Sequence, residues 1–423
     1  MRHRSPNKRG VIPEQTAAEI MLILYFTLPF WKWLFEQLFE LSGDVSPALP
    51  FTLAVVYAPV IAVFLAARQQ VPADFFFLLL YIGLYFGVTY LFHGEYEYYY
   101  EREQYGVADY VLRPDNGLYA YLFLRMVKEP ERVLRGLRVS GYVIYAYSAL
   151  RLYVATVKGF WMEEGSRGQE YMSSYNMNYG YTLLLFLCCY LYCALEKKNL
   201  WYLFLSAAGV FMILCGGSRG PMLDVGIFLA FYWLIRLRRS RRKPLYLAGT
   251  ALLGGIAAAL YRPALNALRD LTDRAGLHSR TLNMMLAGTV AQNNGRDAFW
   301  EASFQMIREN PLGYGAMGAR HVLCGIHIVG HPHNVMIELL IEYGVVGGTA
   351  VILTLLFASL RILLRRKKEA WQGVFLLFFA NACQLLTSYT YWHSPALWAA
   401  LAVGVNYCRA ETKSRSPQLQ LRK

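Results

Sequence analysis

One candidate site is the segment CGGSRGPM at residues 215–222, which places an arginine between two apolar runs. Two glycines, a serine and a Gly–Pro step predict a tight turn, with Pro221 in a favoured position at the start of the next helix. Such a turn would hold Arg219 at the ends of two apolar helices. A guanidinium group binds phosphate or pyrophosphate through paired hydrogen bonds, so Arg219 is a candidate clamp for such an anion. The alternative is that Arg219 only reaches towards lipid headgroups.

The stretch NNGRDAFWEASFQMIRENPLGYGAMGAR, residues 293–320, contains a second basic candidate. Its apolar residues follow helical spacing and Asp297 falls in the first turn, which predicts an amphipathic surface helix. Asn310–Pro311 should end this helix, and the glycines that follow should form an irregular loop. Arg296 precedes the helix, where backbone N–H groups also attract anions. The alternative is a surface helix with incidental charge.

The third candidate is HPHNVMIELLIEYGVVGGT, residues 331–349, in which Asn334 is predicted to begin a long apolar helix. His333 would lie at the outer end of this helix, where a neutral imidazole could act as general base for a hydroxyl. Glu338 follows Asn334 by four residues on the same helix face. A carboxylate there should have a partner, expected to be an arginine or a histidine. His331, Asn334 and Glu338 are therefore candidate substrate-binding residues.

A metal site is an alternative for the histidines, because His321, His327, His331 and His333 lie within thirteen residues and could ligate Zn²⁺. However, the one His-x-x-x-His spacing, His327 with His331, does not lie in a predicted helix, and no Cys/His pattern of a zinc site is present. The surrounding segment is also rich in arginine, which disfavours a bound cation. We therefore predict that the protein uses no metal and no cofactor.

The elements that carry these residues are predicted to be membrane helices. Of 423 residues, 56% are hydrophobic and only 17% are charged, against about 25% charged in a soluble protein. The chain has 42 basic and 28 acidic residues, a net charge of +14, and the basic residues gather in short loops between apolar runs. The high apolar fraction excludes disordered, collagen-like and disulfide-rich secreted classes. We predict an all-α polytopic membrane protein with the lipid bilayer, and no nucleic acid, as partner.

Apolar segments of about 20 residues predict twelve transmembrane helices. The fourth is interrupted by Asp109, Arg113 and Asp115 and is expected to be short or partly re-entrant. The basic start leads into a full-length span without a cleavage site, so we predict no signal peptide. The predicted spans lie near residues 18–36, 51–67, 75–93, 107–127, 139–157, 178–195, 200–216, 221–237, 245–261, 334–363, 371–389 and 392–408.

Lysine and arginine residues in the short loops predict the orientation in the membrane. Basic loops alternate with acidic or neutral loops (43–47, 94–103 and 163–170), which places both termini in the cytoplasm. The basic segments lie at residues 128–138, 197–198, 236–243, 365–368 and 409–423.

The predicted organisation has one long extracytoplasmic loop between helices 9 and 10. The predicted units are helices 1–9 in residues 1–261, the loop with catalytic elements in 262–333, helices 10–12 in 334–408 and a basic cytoplasmic tail in 409–423. The loop contains seven arginines and five of the eight histidines, including His278. Because sites are often built on loops above a rigid scaffold, we regard Arg280 and Arg320 as further candidate substrate-binding residues.

These motifs resemble those of the O-antigen ligase and polysaccharide polymerase superfamily. The resemblance rests on the SRG turn, on GR…FW…ENPLGYG in the outer loop and on HPHN-VMIELLIEYG-VVGG, over about residues 217–349. The ligase pattern is His-Asn, nine residues, Gly, two residues and Gly. It is met by His333, Asn334, Gly344 and Gly347.

The resemblance implies a GT-C-like, multi-pass glycosyltransferase of the inner membrane that is metal-independent and inverting. The donor would be a glycan linked to undecaprenyl pyrophosphate, and the acceptor a glycan or lipid-glycan on the outer face. Other polysaccharide-export components are further candidate partners. By motif, the family's loop histidine falls on His333, its SRG arginine on Arg219 and its loop arginine on Arg296; the remaining arginines are not assigned. Arginines could neutralise the departing pyrophosphate.

The acceptor remains open at this point. A polymerase would transfer the glycan to a second lipid-linked repeat unit, and a ligase would transfer it to lipid A core, a protein or a wall polymer. We favour the polymerase, because such enzymes are numerous and nothing marks a dedicated protein acceptor. A transporter or flippase of lipid-linked sugars is the alternative of a different class, although the chain shows no internal repeat. Tyrosines could stack on sugars or form an interface belt; they are residues 96, 98–100, 171, 175 and 179.

Overall fold

The computed structural model of the protein describes residues 11–39, 48–164, 170–173, 175–274, 276, 279–289, 296–365 and 369–420. Several features predicted from the sequence lie outside these residues. They are the basic residues 2–9, the loop 43–47, His278, the start of the 293–320 stretch at 293–295, the basic residues 366–368 and the last three residues of the tail.

The described part of the chain forms seventeen α-helices and a two-stranded antiparallel hairpin. The hairpin pairs β1 (Trp161–Glu164) with β2 (Glu170–Ser173). Short 3₁₀ helices cover Gly94–Tyr96 and Cys383–Leu386, and a π-helix covers Ala108–Leu112. The α-helices are α1 (Glu14–Phe26), α2 (Leu28–Phe39), α3 (Ala48–Ala66), α4 (Ala73–Phe92), α5 (Glu97–Glu101), α6 (Gly117–Met126), α7 (Pro130–Lys158), α8 (Met177–Lys197), α9 (Leu200–Gly216), α10 (Gly220–Arg239), α11 (Lys243–Arg274), α12 (Arg280–Ala287), α13 (Asp297–Glu309), α14 (Arg320–Leu323), α15 (Val335–Leu364), α16 (Glu369–Ala382) and α17 (Pro395–Gln420).

Five helices of the described chain are long and apolar enough to cross a membrane: α3, α4, α8, α10 and α15. They correspond to five of the predicted spans. Two further candidates are bent: α1 and α2 meet at 56°, and α11 bends by 40°. If each bent pair is one span, the count rises to seven. These findings support the all-α membrane class, whereas the number twelve stays a prediction.

The predicted fourth span is broken, as its charged residues indicate. The π-helix ends at Leu112, and α6 begins only at Gly117. Between them, Arg113 forms ion pairs with Asp109 and Asp115, the latter at 2.6 Å between Nε and Oδ1. Because these charges pair with one another across the break, the segment does not continue as one helix.

Several helix ends differ from the predicted ones: α7 begins at Pro130, before the predicted 139, and α17 continues to Gln420, beyond the predicted 408. Two further differences lie closer to the candidate site. The ninth span was predicted to end near residue 261, but α11 continues through Pro263 to Arg274, so the outer segment begins with helical residues. The eleventh was predicted to reach residue 389. In the structure α16 ends at Ala382, and after one 3₁₀ turn the chain is irregular up to Pro395. This irregular segment lies next to the candidate site.

The core is organised around α8, which packs against α7, α9, α10 and α16. Four tyrosines of α8 point at glycines of these neighbours, where any side chain would collide with the ring. A Cβ atom on Gly141 of α7 would lie 2.6 Å from the Tyr190 hydroxyl oxygen. The tyrosine–glycine pairs are Tyr190 with Gly141, Tyr179 with Gly216, Tyr181 with Gly220 and Tyr192 with Gly373. Large and small residues thus interlock, and the helices approach closely.

Candidate active site

Glycines hold the SRG turn against the start of α8. After α9 ends, Gly217 adopts a φ of +76°, a left-handed conformation that glycine accepts without strain. A Cβ atom on Gly217 would lie only 2.8 Å from the Cβ atom of Tyr175. The backbone N–H of Asn176 donates to the carbonyl oxygen of Gly216 at 2.9 Å. Arg219, immediately before α10, is therefore placed beside the first residues of α8.

Three arginines from separate segments form a cluster of positive charge. Arg219 precedes α10, Arg280 is the first residue of α12, and Arg296 precedes α13. Burial, together with the positive charges of Arg280 and Arg296, lowers the pKa of Arg219. Arg280 and Arg296 thus each lie close enough to Arg219 for their charges to oppose its own, and each of the three stands at a helix N-terminus, which adds partial positive charge. We call these residues the arginine cluster; a bound anion would relieve its repulsion.

Arg280 is positioned by the residues around it. The Ser279 hydroxyl accepts a hydrogen bond from the N–H of Leu282 at 3.2 Å and donates to the carbonyl oxygen of Leu214, which fixes α12 to the end of α9. The Arg280 guanidinium lies over the Tyr175 ring, with Cζ 4.6 Å from the ring centre. This cation–π contact orients the guanidinium without neutralising its charge.

His333 lies between the arginine cluster and the start of α15. Its backbone has a φ of +54°, an unfavourable value for a residue with a Cβ atom. Its ring packs edge-on against Phe299 of α13 at 5.4 Å between ring centres. Burial, together with the positive charges of Arg296 and His327, lowers its pKa to about 4. At neutral pH the imidazole is therefore uncharged and can accept a proton.

Asn334 caps α15 and ties it to residues 383–394, the segment between α16 and α17, which we call the last loop. Its Oδ1 accepts hydrogen bonds from the N–H groups of Met336 at 2.9 Å and Ile337 at 3.2 Å. Its Nδ2 donates to the carbonyl oxygen of Leu386 at 3.1 Å. The predicted helix start is thus confirmed, and the side chain that the sequence made a candidate for substrate binding is engaged in capping.

The ENPLGYG loop docks on an interruption of α15 at Gly344, where φ is +72° and ψ is 174°. The N–H of Tyr314 donates to the carbonyl oxygen of Ile341 at 2.8 Å, and the N–H of Val345 donates to the carbonyl oxygen of Pro311 at 2.8 Å. The loop thereby satisfies backbone groups that the interruption leaves without helical partners. The predicted amphipathic helix α13 ends at Glu309, just before this loop, so the docked loop holds α13 against α15.

The prediction that an arginine or a histidine is the partner of Glu338 is met only electrostatically, because Arg320 acts on the carboxylate as a nearby positive charge. Neither an arginine nor a histidine of the described chain is hydrogen-bonded to Glu338; Thr390 donates its hydroxyl, and Tyr391 its backbone N–H at 3.4 Å. Glu342, one turn along, accepts from the Trp392 indole at 2.9 Å and from the Met317 N–H at 2.9 Å. The two carboxylates therefore bind the last loop and the outer loop to α15, a structural role that sequence spacing alone did not show.

Arg320 and His331 lie apart from the arginine cluster. Arg320 is 3% exposed, donates to the carbonyl oxygen of Tyr105 and lies over the Tyr110 ring at 4.8 Å. Burial lowers its pKa, while Glu338 and Glu342 act on it as negative charges. His331 is buried next to His333, with ring centres 4.2 Å apart. Of the two, only His331 packs directly against His333.

The histidines of the zinc alternative occupy different environments. His321 packs between Tyr96 and Tyr314, and its Nδ1 lies 2.6 Å from the Gly318 carbonyl oxygen. His327 is exposed near Phe299. Within the described ranges, no group of three or more His, Cys, Asp or Glu residues is arranged as metal ligands.

The tyrosines separate into core and site residues. Tyr96 and Tyr179 are buried and pack inside the protein, so neither presents a ring for a sugar. Tyr175 contacts the arginine cluster. The sequence analysis missed Tyr181, whose hydroxyl lies 3.3 Å from those of Thr387 and Ser388 and which Arg296 acts on electrostatically. No signal in the sequence marks it, because its position depends on packing of α8 against a loop two hundred residues away.

Part of the chain matches a known protein family. A family model described as O-antigen ligase matches residues 202–352, which include Arg219, Arg280, Arg296, His333 and the loop docked on α15. No curated protein and no solved structure matches the chain. Residues 202–352 are therefore similar to the O-antigen ligase family, and over these residues the predicted resemblance to the O-antigen ligase and polymerase superfamily is confirmed.

Proposed function

We propose that the protein is a membrane glycosyltransferase that polymerises undecaprenyl-pyrophosphate-linked oligosaccharide repeat units on the outer face of the inner membrane. The observation that carries this proposal is the arginine cluster next to an uncharged, half-buried histidine. The cluster suits a pyrophosphate, and the histidine suits a hydroxyl that must lose a proton. These are the two groups that change charge when a glycan leaves a lipid pyrophosphate.

The reaction would proceed as one displacement with inversion. The acceptor oxygen forms a bond to the anomeric carbon while His333 takes the hydroxyl proton. The bond between that carbon and the pyrophosphate oxygen breaks, and the pyrophosphate leaves with the electron pair. Arg219, Arg280 and Arg296 offset the charge that develops on it, which is the role a metal ion plays in other transferases. His333 then releases its proton to water.

An apolar groove supplies a place for the lipid tail. It has a volume of about 670 Å³ and lies between α15, the end of α16 and α17. Val335 and Met336 line its start, two residues after His333, and Arg409 lines it near the other end. A lipid in this groove would keep its pyrophosphate near the start of α15. This supports a polyprenyl donor over a soluble nucleotide sugar.

The test is a binding and turnover assay on purified protein with a synthetic lipid-pyrophosphate sugar. Arg219→Lys keeps the charge but loses the paired hydrogen bonds, so donor binding and turnover should fall together. His333→Ala should bind the donor nearly as wild type does, with turnover lower by about 100-fold or more. The control is Arg308→Lys, at an exposed residue of α13, which should change turnover little.

Two results would contradict the assignment. If His333→Ala loses donor binding as severely as Arg219→Lys, the histidine is not the base. If His333→Ala inserts in the membrane and still yields polymer of normal length and amount, the transporter or flippase alternative gains support. A product joined to lipid A core, a protein or a wall polymer would identify a ligase.

A further inference from the structure

A second cavity lies on the other side of the last loop from His333. It has a volume of about 380 Å³, within the range of small-ligand pockets, and lies between the α1–α2 bend, α3, α8 and residues 384–396. Its lining mixes aromatic rings with amides, a histidine and three charged residues, Lys32, Arg113 and Asp115. The residues used below are Asn178, Tyr181, Asn381, Tyr389 and His393, and we call this space the outer cavity.

The outer cavity contains buried polar atoms without partners. Asn381 is 8% exposed, and its Oδ1 has no hydrogen-bond partner among the described residues. The Nδ1 of His393 is also buried without a partner in the described part of the chain. Both side chains line the cavity. Because buried polar atoms are nearly always hydrogen-bonded, each of these two atoms would gain a partner if its side chain turned towards a ligand with hydroxyl or amide groups in the cavity.

One wall of the cavity is held in an unusual backbone conformation. Tyr389 has a φ of +61°, its hydroxyl donates to Asn178 Oδ1, and its ring packs against Tyr181 at 5.4 Å. A tyrosine in the left-handed region costs free energy that the surrounding contacts must offset. The arrangement fixes an aromatic ring and an amide at the cavity surface, both of which suit a sugar: the ring for its C–H face, the amide for its hydroxyls.

The outer cavity and the candidate active site share a wall. Asn334, next to His333, donates to the Leu386 carbonyl oxygen, three residues before Tyr389. Tyr181 lines the cavity, contacts Thr387 and Ser388, and lies within the electrostatic influence of Arg296. A glycan whose end reaches His333 could therefore continue into the cavity.

We propose that the outer cavity binds sugar units of a substrate glycan, through hydrogen bonds to Asn381 and His393 and contact with the Tyr389 ring. The proposal rests on the proposed function, because it needs a glycan at His333. Either the acceptor glycan or the donor glycan could supply these sugars, and the experiment separates the two.

The probe is the lipid-free oligosaccharide released by mild acid from the lipid-linked intermediates of the producing cells. Its affinity for purified protein should fall by about tenfold in Asn381→Leu, which has nearly the same shape, because one buried hydrogen bond is lost. Tyr389→Phe, which loses the bond to Asn178, should also weaken binding. Gln305→Leu, an exposed change on α13, is the control and should bind as wild type does.

Equal affinity in wild type, Asn381→Leu and Tyr389→Phe would overturn the proposal, as would no detectable binding to wild type. Binding is measured without turnover, so this result stands even if the transferase reaction is never observed. Conversely, a chain that binds the probe as expected but transfers no glycan would leave the cavity assignment intact and overturn the proposed function. Where turnover is seen, a raised KM for acceptor in Asn381→Leu assigns the cavity to the acceptor, and a raised KM for donor assigns it to the donor.

Discussion

At the residue scale, the charge state of His333 decides when the proposed reaction can run. Burial, Arg296 and His327 lower its pKa to about 4, against an ordinary value of 6.5. The neutral form is the base, so kcat/KM should remain high as pH falls through 6.5 and drop only near about 4. Arg296→Gln removes a charge that opposes protonation, so the pKa of His333 should rise and the acidic limb should move to higher pH. A pH–rate profile of both proteins checks this.

The matched control is Arg308→Gln, a change at an exposed arginine of α13, which should leave the acidic limb of the pH–rate profile at the same pH. A limb that does not move in Arg296→Gln, or that lies above 6.5 in wild type, would show that another group is titrating.

The arginine cluster also leads to a prediction about metals. If three guanidinium groups offset the charge of the leaving pyrophosphate, activity in purified membranes should be unchanged by excess EDTA. The measurement is polymer formation with and without the chelator. Loss of activity that Zn²⁺ or Mn²⁺ restores would instead favour a role for the outer-loop histidines as ligands.

Residue motifs allowed part of the site to be predicted. The SRG turn and the His-Asn pair drew attention to Arg219 and His333 because their local patterns are distinctive. Arg280 and Arg320 could not be told apart, since both are arginines of the same outer segment. Their different positions depend on residues far away in the sequence. Arg320 donates to the carbonyl oxygen of Tyr105, 215 residues earlier, whereas Arg280 lies over the ring of Tyr175.

At the element scale, the interruption of α15 offers a matched pair of glycines. A Cβ atom on Gly344 would lie 2.5 Å from the Leu312 carbonyl oxygen, and its φ is +72°. Gly344→Ala should therefore lower the free energy of unfolding by about 1–3 kcal/mol from backbone strain alone. Gly347, in the same motif, is helical and its nearest contact is at 3.3 Å, so Gly347→Ala should change stability by less than about 1 kcal/mol.

Thermal unfolding of the two variants in detergent measures the difference. Similar melting temperatures for both would mean that the docked loop can move away from Gly344 at little cost. In that case, the loop would not be what holds α13 against α15.

Elements were predicted unevenly, for physical reasons. The break in the fourth span followed from three charged residues in an apolar run, and the ends of α13 and α15 followed from Asn310–Pro311 and Asn334. The continuation of α11 past Pro263 was not predicted, because proline usually ends or bends a helix. The groups that donate hydrogen bonds to the Glu338 carboxylate belong to Thr390 and Tyr391. Helix periodicity contains no information about such distant contacts.

At the scale of the whole molecule, the orientation in the membrane can be tested with cysteine labelling. Ser303 is fully buried on α13, so Gln305, exposed on the same helix, is the better position for an outside probe. In a Cys324→Ser background, an impermeant maleimide should label Gln305→Cys in intact cells. The native Cys408 is exposed and lies on α17 near the predicted cytoplasmic face, so it should react only after the cells are permeabilised. The opposite pattern would reverse the topology and remove the candidate site from the outer face.

The interlocking of α8 with its neighbours has a consequence for how this protein can vary. Each of its four tyrosines fills the space that a missing side chain leaves on another helix, so neither partner can change size alone. Gly141→Ala should be poorly tolerated by itself and partly relieved by Tyr190→Phe, which removes the nearest colliding atom but leaves the ring carbon Cζ at 2.9 Å. Among related chains, substitutions at these positions are accordingly expected to occur as correlated pairs, linking residues that are far apart in sequence.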